Sequence, residues 1–188
     1  MTLAASFGLP PTRPVTFAPS PGHPGVARFL NLRAPAQPWG PPPLRRADVV
    51  AWPRPLDADE MNAAAELLLG LHDFAAFCRR REVATTIRSL LSLEARRELD
   101  EVADAELVAI GASADAFCHS MVRSLVGALL AVGDGRRPVE WPATLLSRAQ
   151  RADEVVVAPA NGLTLVAVDY PPDAELAARN RVTRARRD

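Results

Sequence analysis

The stretch Phe-Cys-His-Ser-Met-Val-Arg-Ser-Leu-Val-Gly-Ala-Leu-Leu-Ala-Val at 117–132 is the most apolar window of the chain. Apolar side chains occupy nearly every side of a helical wheel here, which predicts a helix over 117–131 that is buried in the core. His119 and Arg123 interrupt the segment, and it is too short to span a bilayer, so we expect no membrane partner.

Weaker patterns outside this helix predict an α+β domain in which helices pack against a largely antiparallel sheet. Asp57 and Glu60 have the spacing of a capping box, which indicates where the preceding helix begins. Polar residues between two strand patterns indicate a hairpin. The predicted helices cover 58–70 and 138–148, and the predicted strands cover 83–93, 106–113, 154–157 and 163–170.

The two ends of the chain differ in composition from its centre. Residues 1–43 hold 11 of the 18 prolines and contain no Asp or Glu. Proline at this density removes backbone donors and blocks helices, which predicts an extended or disordered arm. The predicted globular domain covers 44–172. Residues 173–188 carry five arginines against three acids, which predicts a basic tail.

Composition also limits the chemistry. The 22 basic residues balance 22 acidic ones, and all the basic ones are Arg, so Schiff-base chemistry and a P-loop lysine are excluded. Cys78 and Cys118 form no C-x-x-C pair, which argues against a disulfide framework and a four-ligand zinc site. His23, His72 and His119 are scattered, so we expect no metal. With so few cysteines, a reducing cytoplasm is the expected location of the protein.

Arg123 is the main candidate for a functional role. An arginine in a buried helix cannot lose its charge, so it must meet a carboxylate or phosphate, or line a solvated cleft. The alternatives are a structural buried salt bridge and a side chain that extends to the surface. Cys118 beside His119 could supply a thiol and a base, but a cysteine in so apolar a segment is usually a small core residue.

Two arginine runs are candidate phosphate contacts. Arg79 and Arg80 belong to a run of three, and Arg136 and Arg137 follow a glycine. The alternative for each run is a solvated loop.

From about Trp39 onward the chain resembles the C-terminal half of the tRNA pseudouridine synthase A family. The matching segments are Trp-Pro-Arg-Pro-Leu-Asp at 52–57, Met-Asn-Ala-Ala-Ala-Glu-Leu-Leu-Leu-Gly-Leu-His-Asp-Phe-Ala-Ala-Phe at 61–77, Ala-Thr-Thr-Ile-Arg at 84–88, Phe-Cys-His-Ser-Met-Val-Arg-Ser-Leu-Val-Gly at 117–127, Val-Gly-Asp-Gly-Arg-Arg at 132–137 and Pro-Ala-Asn-Gly-Leu-Thr-Leu at 159–165. The family isomerises uridine to pseudouridine in the tRNA anticodon stem-loop, at tRNA positions 38–40.

The resemblance implies half of a pseudouridine-synthase-like fold, a tRNA substrate, a homodimer and no cofactor. Arg123 would pair with the catalytic aspartate, through charge-assisted hydrogen bonds that keep the carboxylate ionised. Leu163 would lie against the target base, and its alternative is ordinary sheet core. The expected substrate-binding residues are Leu163, His119, Arg136, Arg137, Arg79 and Arg80.

The chain departs from the family pattern in two places. The family's nucleophilic Asp lies in an Arg-Thr-Asp-x-Gly-Val-His motif, which this sequence does not contain, and Tyr170 is the only tyrosine, too late to stack on the uracil. We therefore expect a truncated or frameshifted relative that is inactive alone. The alternatives are a catalytically dead module that binds RNA or a dimer partner, and a chain that barely folds because half of its sheet lacks cover.

Overall fold

The structure is a computed structural model that describes residues 28–35, 43–45, 49–79, 85–101, 105–168, 173–175 and 177. In chain order its strands and α-helices are β1 (Arg28–Pro35), α1 (Ala58–Glu66), β2 (Gly70–Asp73), β3 (Ile87–Asp100), β4 (Ala105–Ala114), α2 (Met121–Gly133), α3 (Trp141–Thr144) and β5 (Thr164–Val168). Short 3-10 helices occur at Pro43–Arg45, Ala75–Phe77, Leu145–Ser147 and Asp173–Glu175.

The strands form an antiparallel sheet in the order β2-β3-β4-β1-β5. The long hairpin of β3 and β4 is the one that the sequence predicts. Val108 and Ile110 of β4 share a buried core with Met61 of α1 and Leu125 of α2, so both helices pack on this sheet. The predicted α+β class and largely antiparallel sheet are confirmed.

Helix α1 begins where the capping pattern places it. The Asp57 carboxylate accepts hydrogen bonds from the backbone N–H groups of Asp59 (2.9 Å) and Glu60 (3.1 Å), which have no partners within the helix. The helix ends at Glu66, earlier than predicted, because Gly70 opens β2 with a φ of +101°, a conformation that suits glycine.

Helix α2 confirms the buried helix predicted over 117–131, although it runs from Met121 to Gly133. All of its residues except Arg123 are buried. Among the described residues, no helix is long and apolar enough to cross a membrane.

The predicted arm over 1–43 is wrong at residues 28–35. These residues form β1, which pairs with β4 along its whole length and with β5 over four positions. Proline density averaged over 1–43 hides an eight-residue run that has a single proline, at its end. The folded domain therefore includes residues that precede the predicted boundary at 44. Residues 1–27 and 36–42 lie outside the described part, and the boundaries at 172 and 173 stay predictions.

The structure also differs from the prediction after α2. Residues 138–148 contain only the short α3 and a 3-10 helix. The segment 154–157, predicted as a strand, lies against α2 and joins no sheet: a Cβ atom on Gly127 would come within 1.7 Å of the Val156 carbonyl oxygen. Of the last predicted strand, residues 164–168 form β5, while 169–170 lie outside the described residues.

The two cysteines form a disulfide, contrary to the sequence-based expectation. Cys78 and Cys118 are 40 residues apart in sequence and their Cα atoms are 5.8 Å apart. Cys78 follows the 3-10 helix Ala75–Phe77, and Cys118 lies just before α2. Spacing along the chain cannot show this pairing, because the fold brings two separate loops together.

Candidate functional site at the two ends of helix α2

The Arg123 guanidinium lies at a junction between α2 and the loop that precedes β5. Its Nε donates to the Ala158 carbonyl oxygen at 2.6 Å, and the Ala158 N–H donates to the Arg123 carbonyl oxygen at 3.0 Å. These reciprocal hydrogen bonds fix both the backbone and the side chain of Arg123. The side chain is half-buried, as expected for a charged group at the edge of a core.

No carboxylate lies within ion-pair distance of Arg123 in the part of the chain that the structure describes. A guanidinium has five N–H donors, and the bond to Ala158 uses one of them. The remaining donors can bind a carboxylate or phosphate through two parallel hydrogen bonds. The structural alternative of a buried salt bridge therefore has no partner among the described residues.

Arg79 and His119 are brought together just before α2. The Arg79 N–H donates to the His119 carbonyl oxygen at 2.9 Å, and the Cys78–Cys118 disulfide joins the adjacent residues. Both the Arg79 and the His119 side chains are exposed. This corner therefore presents a guanidinium and an imidazole on a covalently fixed backbone. Arg80 lies outside the described residues.

The backbone turns sharply between this corner and the helix. Ser120 has a φ of +68°, in the left-handed region that residues other than glycine rarely occupy. Its Oγ lies 3.0 Å from His119 Nδ1, a hydrogen-bonding distance that orients the imidazole. The turn is what places His119 outside α2, although the sequence pattern includes it in the helix.

Leu163 lies in the same loop as Ala158, before β5. Its side chain is half-buried and packs against the hydrophobic core, and its N–H donates to the Ala160 carbonyl oxygen at 3.3 Å. Asn161 connects this turn to the segment before α1, because its Nδ2 donates to the Val49 carbonyl oxygen at 3.1 Å. Packing on the core agrees with the structural alternative for Leu163, and its half-exposed state leaves room for a contact with a ligand.

Arg136 and Arg137 lie at the other end of α2, roughly 20 Å away by the helical rise of its 13 residues. The Arg136 Nε lies 2.8 Å from each oxygen of the Asp134 carboxylate, and its guanidinium carbon lies 5.4 Å from the Trp52 ring centroid. The Trp52 Nε1 donates to the same carboxylate at 3.2 Å. The predicted substrate-binding residues therefore form two separate groups.

Arg137 stacks on a second tryptophan. Its guanidinium carbon lies 4.7 Å from the Trp141 ring centroid, within cation–π range. Glu154, at the same end of α2, forms an ion pair with Arg148 at 2.7 Å. The pKa of Glu154 is lowered, chiefly by a hydrogen bond from its own backbone N–H and also by Arg148 and Arg137.

Sequence reasoning found the arginines but missed the groups that hold them. Trp52, Trp141 and Asp134 had a sequence signal, since tryptophan is rare here and Asp134 lies two residues before Arg136. The Ala158 carbonyl has no such signal, because every residue has a backbone carbonyl. Among the described residues, no group of three His, Cys, Asp or Glu side chains could hold a metal ion.

Comparison with known proteins points to one family. A family profile described as tRNA pseudouridine synthase matches residues 64–171. A Frankia casuarinae protein called tRNA pseudouridine synthase A is 58% identical over 180 residues, covering 92% of this chain and 63% of that protein. Proteins of the same name from Mycobacterium leprae and Streptomyces griseus are each 52% identical over 159 residues, covering 85% and 81% of this chain and 54% and 55% of theirs.

The coverage of these matches bears on how much of the family's length the chain contains and on the origin of its first residues. The chain spans about half to two thirds of the length of these relatives. The Frankia match covers 92% of the chain and so extends well into residues 1–43. A shifted reading frame over that opening segment predicts no such match, so the comparison argues against the frameshift hypothesis.

Proposed function

Because this chain belongs to the tRNA pseudouridine synthase family, we propose that it supplies the arginine side of an active site that isomerises uridine in tRNA. The observation that carries the proposal is Arg123, a half-buried guanidinium that is held by Ala158 and has no carboxylate partner among the described residues. Such a group can bind and orient an ionised carboxylate, whose pKa it lowers.

The reaction needs that carboxylate. Isomerisation breaks the glycosidic bond, turns the base and reattaches it through carbon, with an aspartate acting as nucleophile or base. The Arg-Thr-Asp-x-Gly-Val-His motif does not occur in this sequence, so we propose that these 188 residues are inactive alone. No cofactor is part of this proposal.

A tritium-release assay tests the proposal. Unmodified tRNA that carries tritium at uridine C5 is incubated with the purified chain, and the expected release equals that of a blank without protein. The anticodon stem-loop, at tRNA positions 38–40, is the proposed target in a complete enzyme. Release well above the blank would show that another acid replaces the missing aspartate and would overturn the proposed inactivity.

A second function, RNA binding without catalysis, is favoured by the two pairs of Arg and Trp at the C-terminal end of α2. Contacts with phosphates release counterions, so the affinity for tRNA should fall steeply between low and physiological salt. Filter binding of labelled tRNA at several salt concentrations measures the slope. An affinity that does not change with salt would contradict this function.

The Arg79 and His119 corner is the proposed contact for the tRNA near Arg123, and Leu163 the proposed contact for the target base. Arg79→Gln should weaken tRNA binding in the assay above. Arg96→Gln is the matched control, because Arg96 is also exposed but lies on β3. Equal affinities for the two variants would contradict a role for this corner.

We also propose a homodimer and a location in the cytoplasm, where tRNA is found. Sedimentation of the purified chain at several concentrations tests the first, and a single monomer species throughout would contradict it. Fractionation of cells that express the tagged chain tests the second, since recovery outside the cytoplasmic fraction would contradict it.

A further inference from the structure

A hollow of about 340 Å³ opens beside the C-terminal half of α2. Its floor is made of Gly127 and Ala131, and Val156 forms an apolar wall with 58% of its surface exposed. The hollow is apolar at its floor because small residues let the chain around Val156 lie directly on the helix. Pockets of a few hundred Å³ are of a size that binds small organic molecules.

The polar rim of the hollow consists of Arg136, Arg137 and Glu154, next to the Trp141 ring. Each arginine is held on one side by an aromatic ring, Arg136 by Trp52 and Arg137 by Trp141. An exposed arginine normally loses rotamer freedom when it binds a ligand. These two are already ordered, so binding an anion costs them less entropy.

The charges at the rim favour an anion that also carries hydrogen-bond donors. The Asp134 side chain, which pairs with Arg136, is fully buried and does not face solvent. Arg136 pairs with Asp134 and Glu154 pairs with Arg148, so Arg137 is the net positive charge of the rim, and Arg136 adds the N–H donors that Asp134 does not use. The Glu154 carboxylate can still accept a hydrogen bond from a hydroxyl or amino group of a ligand, because each of its oxygens has two lone pairs.

We propose that this hollow binds one unpaired nucleotide of the tRNA. Its phosphate contacts Arg136 and Arg137, its base stacks on the guanidinium face of Arg137 that Trp141 leaves uncovered, and its sugar lies against Val156. Nucleobases stack well on arginine planes, and an apolar wall beside two cations suits a nucleotide better than an inorganic anion. The proposal rests on the proposed function, from which it takes tRNA as the ligand.

A charge-preserving substitution tests the stacking. Arg137→Lys keeps the positive charge but removes the planar group, and Arg151→Lys makes the same change at an exposed residue outside the hollow. We expect Arg137→Lys to weaken tRNA binding about fivefold or more, because the ammonium group of lysine has no planar face on which a base can stack. Arg151→Lys should bind like the wild type. Equal affinities for the two variants would overturn the proposal.

A titration with free ligands separates a nucleotide from a phosphate. Uridine monophosphate and inorganic phosphate are added to the wild-type chain while the indole N–H resonances of the tryptophans are followed by NMR. We expect the nucleotide to shift the Trp141 resonance and phosphate alone to leave it nearly unchanged. Equal shifts would reduce the hollow to a phosphate site, and no shift with either ligand would overturn the proposal.

The two experiments also separate this proposal from the proposed function. If the wild-type chain binds no tRNA, the proposed RNA function fails, and the hollow is then judged by the titration alone. If the chain binds tRNA with the expected salt dependence but Arg137→Lys behaves like Arg151→Lys, the proposed function stands and the nucleotide site fails. Thermal melting of both variants checks that the fold is intact.

Discussion

The two ends of helix α2 hold their arginines in different ways. At the N-terminal end, Arg123 is half-buried and bound to one backbone carbonyl. At the C-terminal end, Arg136 and Arg137 are exposed and stack on tryptophan rings. The first arrangement leaves guanidinium donors in a partly buried place, and the second presents ordered guanidinium donors to solvent.

This difference is consistent with the two tasks that we propose for the ends of the helix. A guanidinium that must aim at a single carboxylate benefits from partial burial, because charge-assisted hydrogen bonds are stronger at low dielectric. Guanidinium groups that contact a long polyanion must be exposed to solvent, and stacking on an aromatic ring restricts the conformations of such exposed side chains. The segment 156–158 touches both ends, since Val156 lines the hollow and Ala158 binds Arg123.

The largest effect should follow from Gly127→Ala, which disturbs both ends at once. The new Cβ would lie 1.7 Å from the Val156 carbonyl oxygen, so the segment 156–158 must move away from α2. Displacing backbone costs more than repacking a side chain, and we expect the free energy of unfolding to fall by at least about 3 kcal/mol. Urea denaturation followed by circular dichroism measures this.

Gly135→Ala is the control for this prediction. Gly135 has a φ of +74°, but an added Cβ would meet nothing within 4 Å. The loss should therefore be limited to the backbone strain, about 1 kcal/mol. If Gly127→Ala were no more harmful than Gly135→Ala, the close contact between α2 and Val156 would not exist in solution.

Reduction of the Cys78–Cys118 disulfide, which lies at the N-terminal end of α2, should lower the stability of the whole fold. Closing a loop between residues 40 apart restricts the unfolded chain, and the loss on reduction should be about 3 kcal/mol. For a chain of this size that corresponds to a fall in Tm of roughly 6–12 °C. Thermal melts with and without a reducing agent measure the change.

The Cys78→Ser, Cys118→Ser double variant is the control for reduction. Its Tm should match that of the reduced wild type and should not respond to the reducing agent. Mass spectrometry after alkylation counts the free thiols of the untreated protein. Two alkylated cysteines under oxidising conditions would show that the bond does not form.

The sequence predicts the parts of this molecule whose signal is local. The α2 core, the Asp57 cap and the β3–β4 hairpin depend on periodicity or capping within one segment, and all three are confirmed. β1 was missed because its partners β4 and β5 lie far along the chain, and the prolines around it dominate the local composition.

The candidate site also contains residues that a local sequence signal predicts and partners that no local signal predicts. Arg123 stands out in sequence because a charge interrupts an apolar helix, whereas its Ala158 partner is a backbone carbonyl 35 residues away. The stacking of Arg136 on Trp52 joins residues 84 positions apart in sequence, and the disulfide joins two loops. Such contacts depend on tertiary structure, which no spacing rule encodes.

At the C-terminal end, Trp52→Phe should have a moderate effect. It keeps a ring under Arg136 but removes the indole N–H that donates to the buried Asp134 carboxylate. A buried acceptor that loses a donor destabilises the fold by about 1 kcal/mol, measured by urea denaturation. Trp141→Phe is the matched control and should cost less. An equal loss for both would show that the Asp134 bond contributes nothing.

The smallest effect concerns the pH dependence of the Glu154 ion pair. The pKa of Glu154 is lowered in the folded chain, so this carboxylate stabilises the fold above its unfolded pKa, and the contribution disappears as the pH falls through the folded pKa. The pair is exposed, and its effect on Tm should be small. Thermal melts of the wild type and Glu154→Gln should therefore differ at pH 7 and converge as the pH approaches 3.

Arg148→Gln sharpens this last test, because it removes the partner while keeping the carboxylate. The main cause of the lowered pKa is the hydrogen bond from Glu154's own backbone N–H, and Arg148 adds to it. In an NMR titration the variant should therefore recover only part of the shift toward the ordinary glutamate pKa. Complete recovery would assign the shift to Arg148 alone, and no recovery would show that the ion pair at 2.7 Å does not persist in solution.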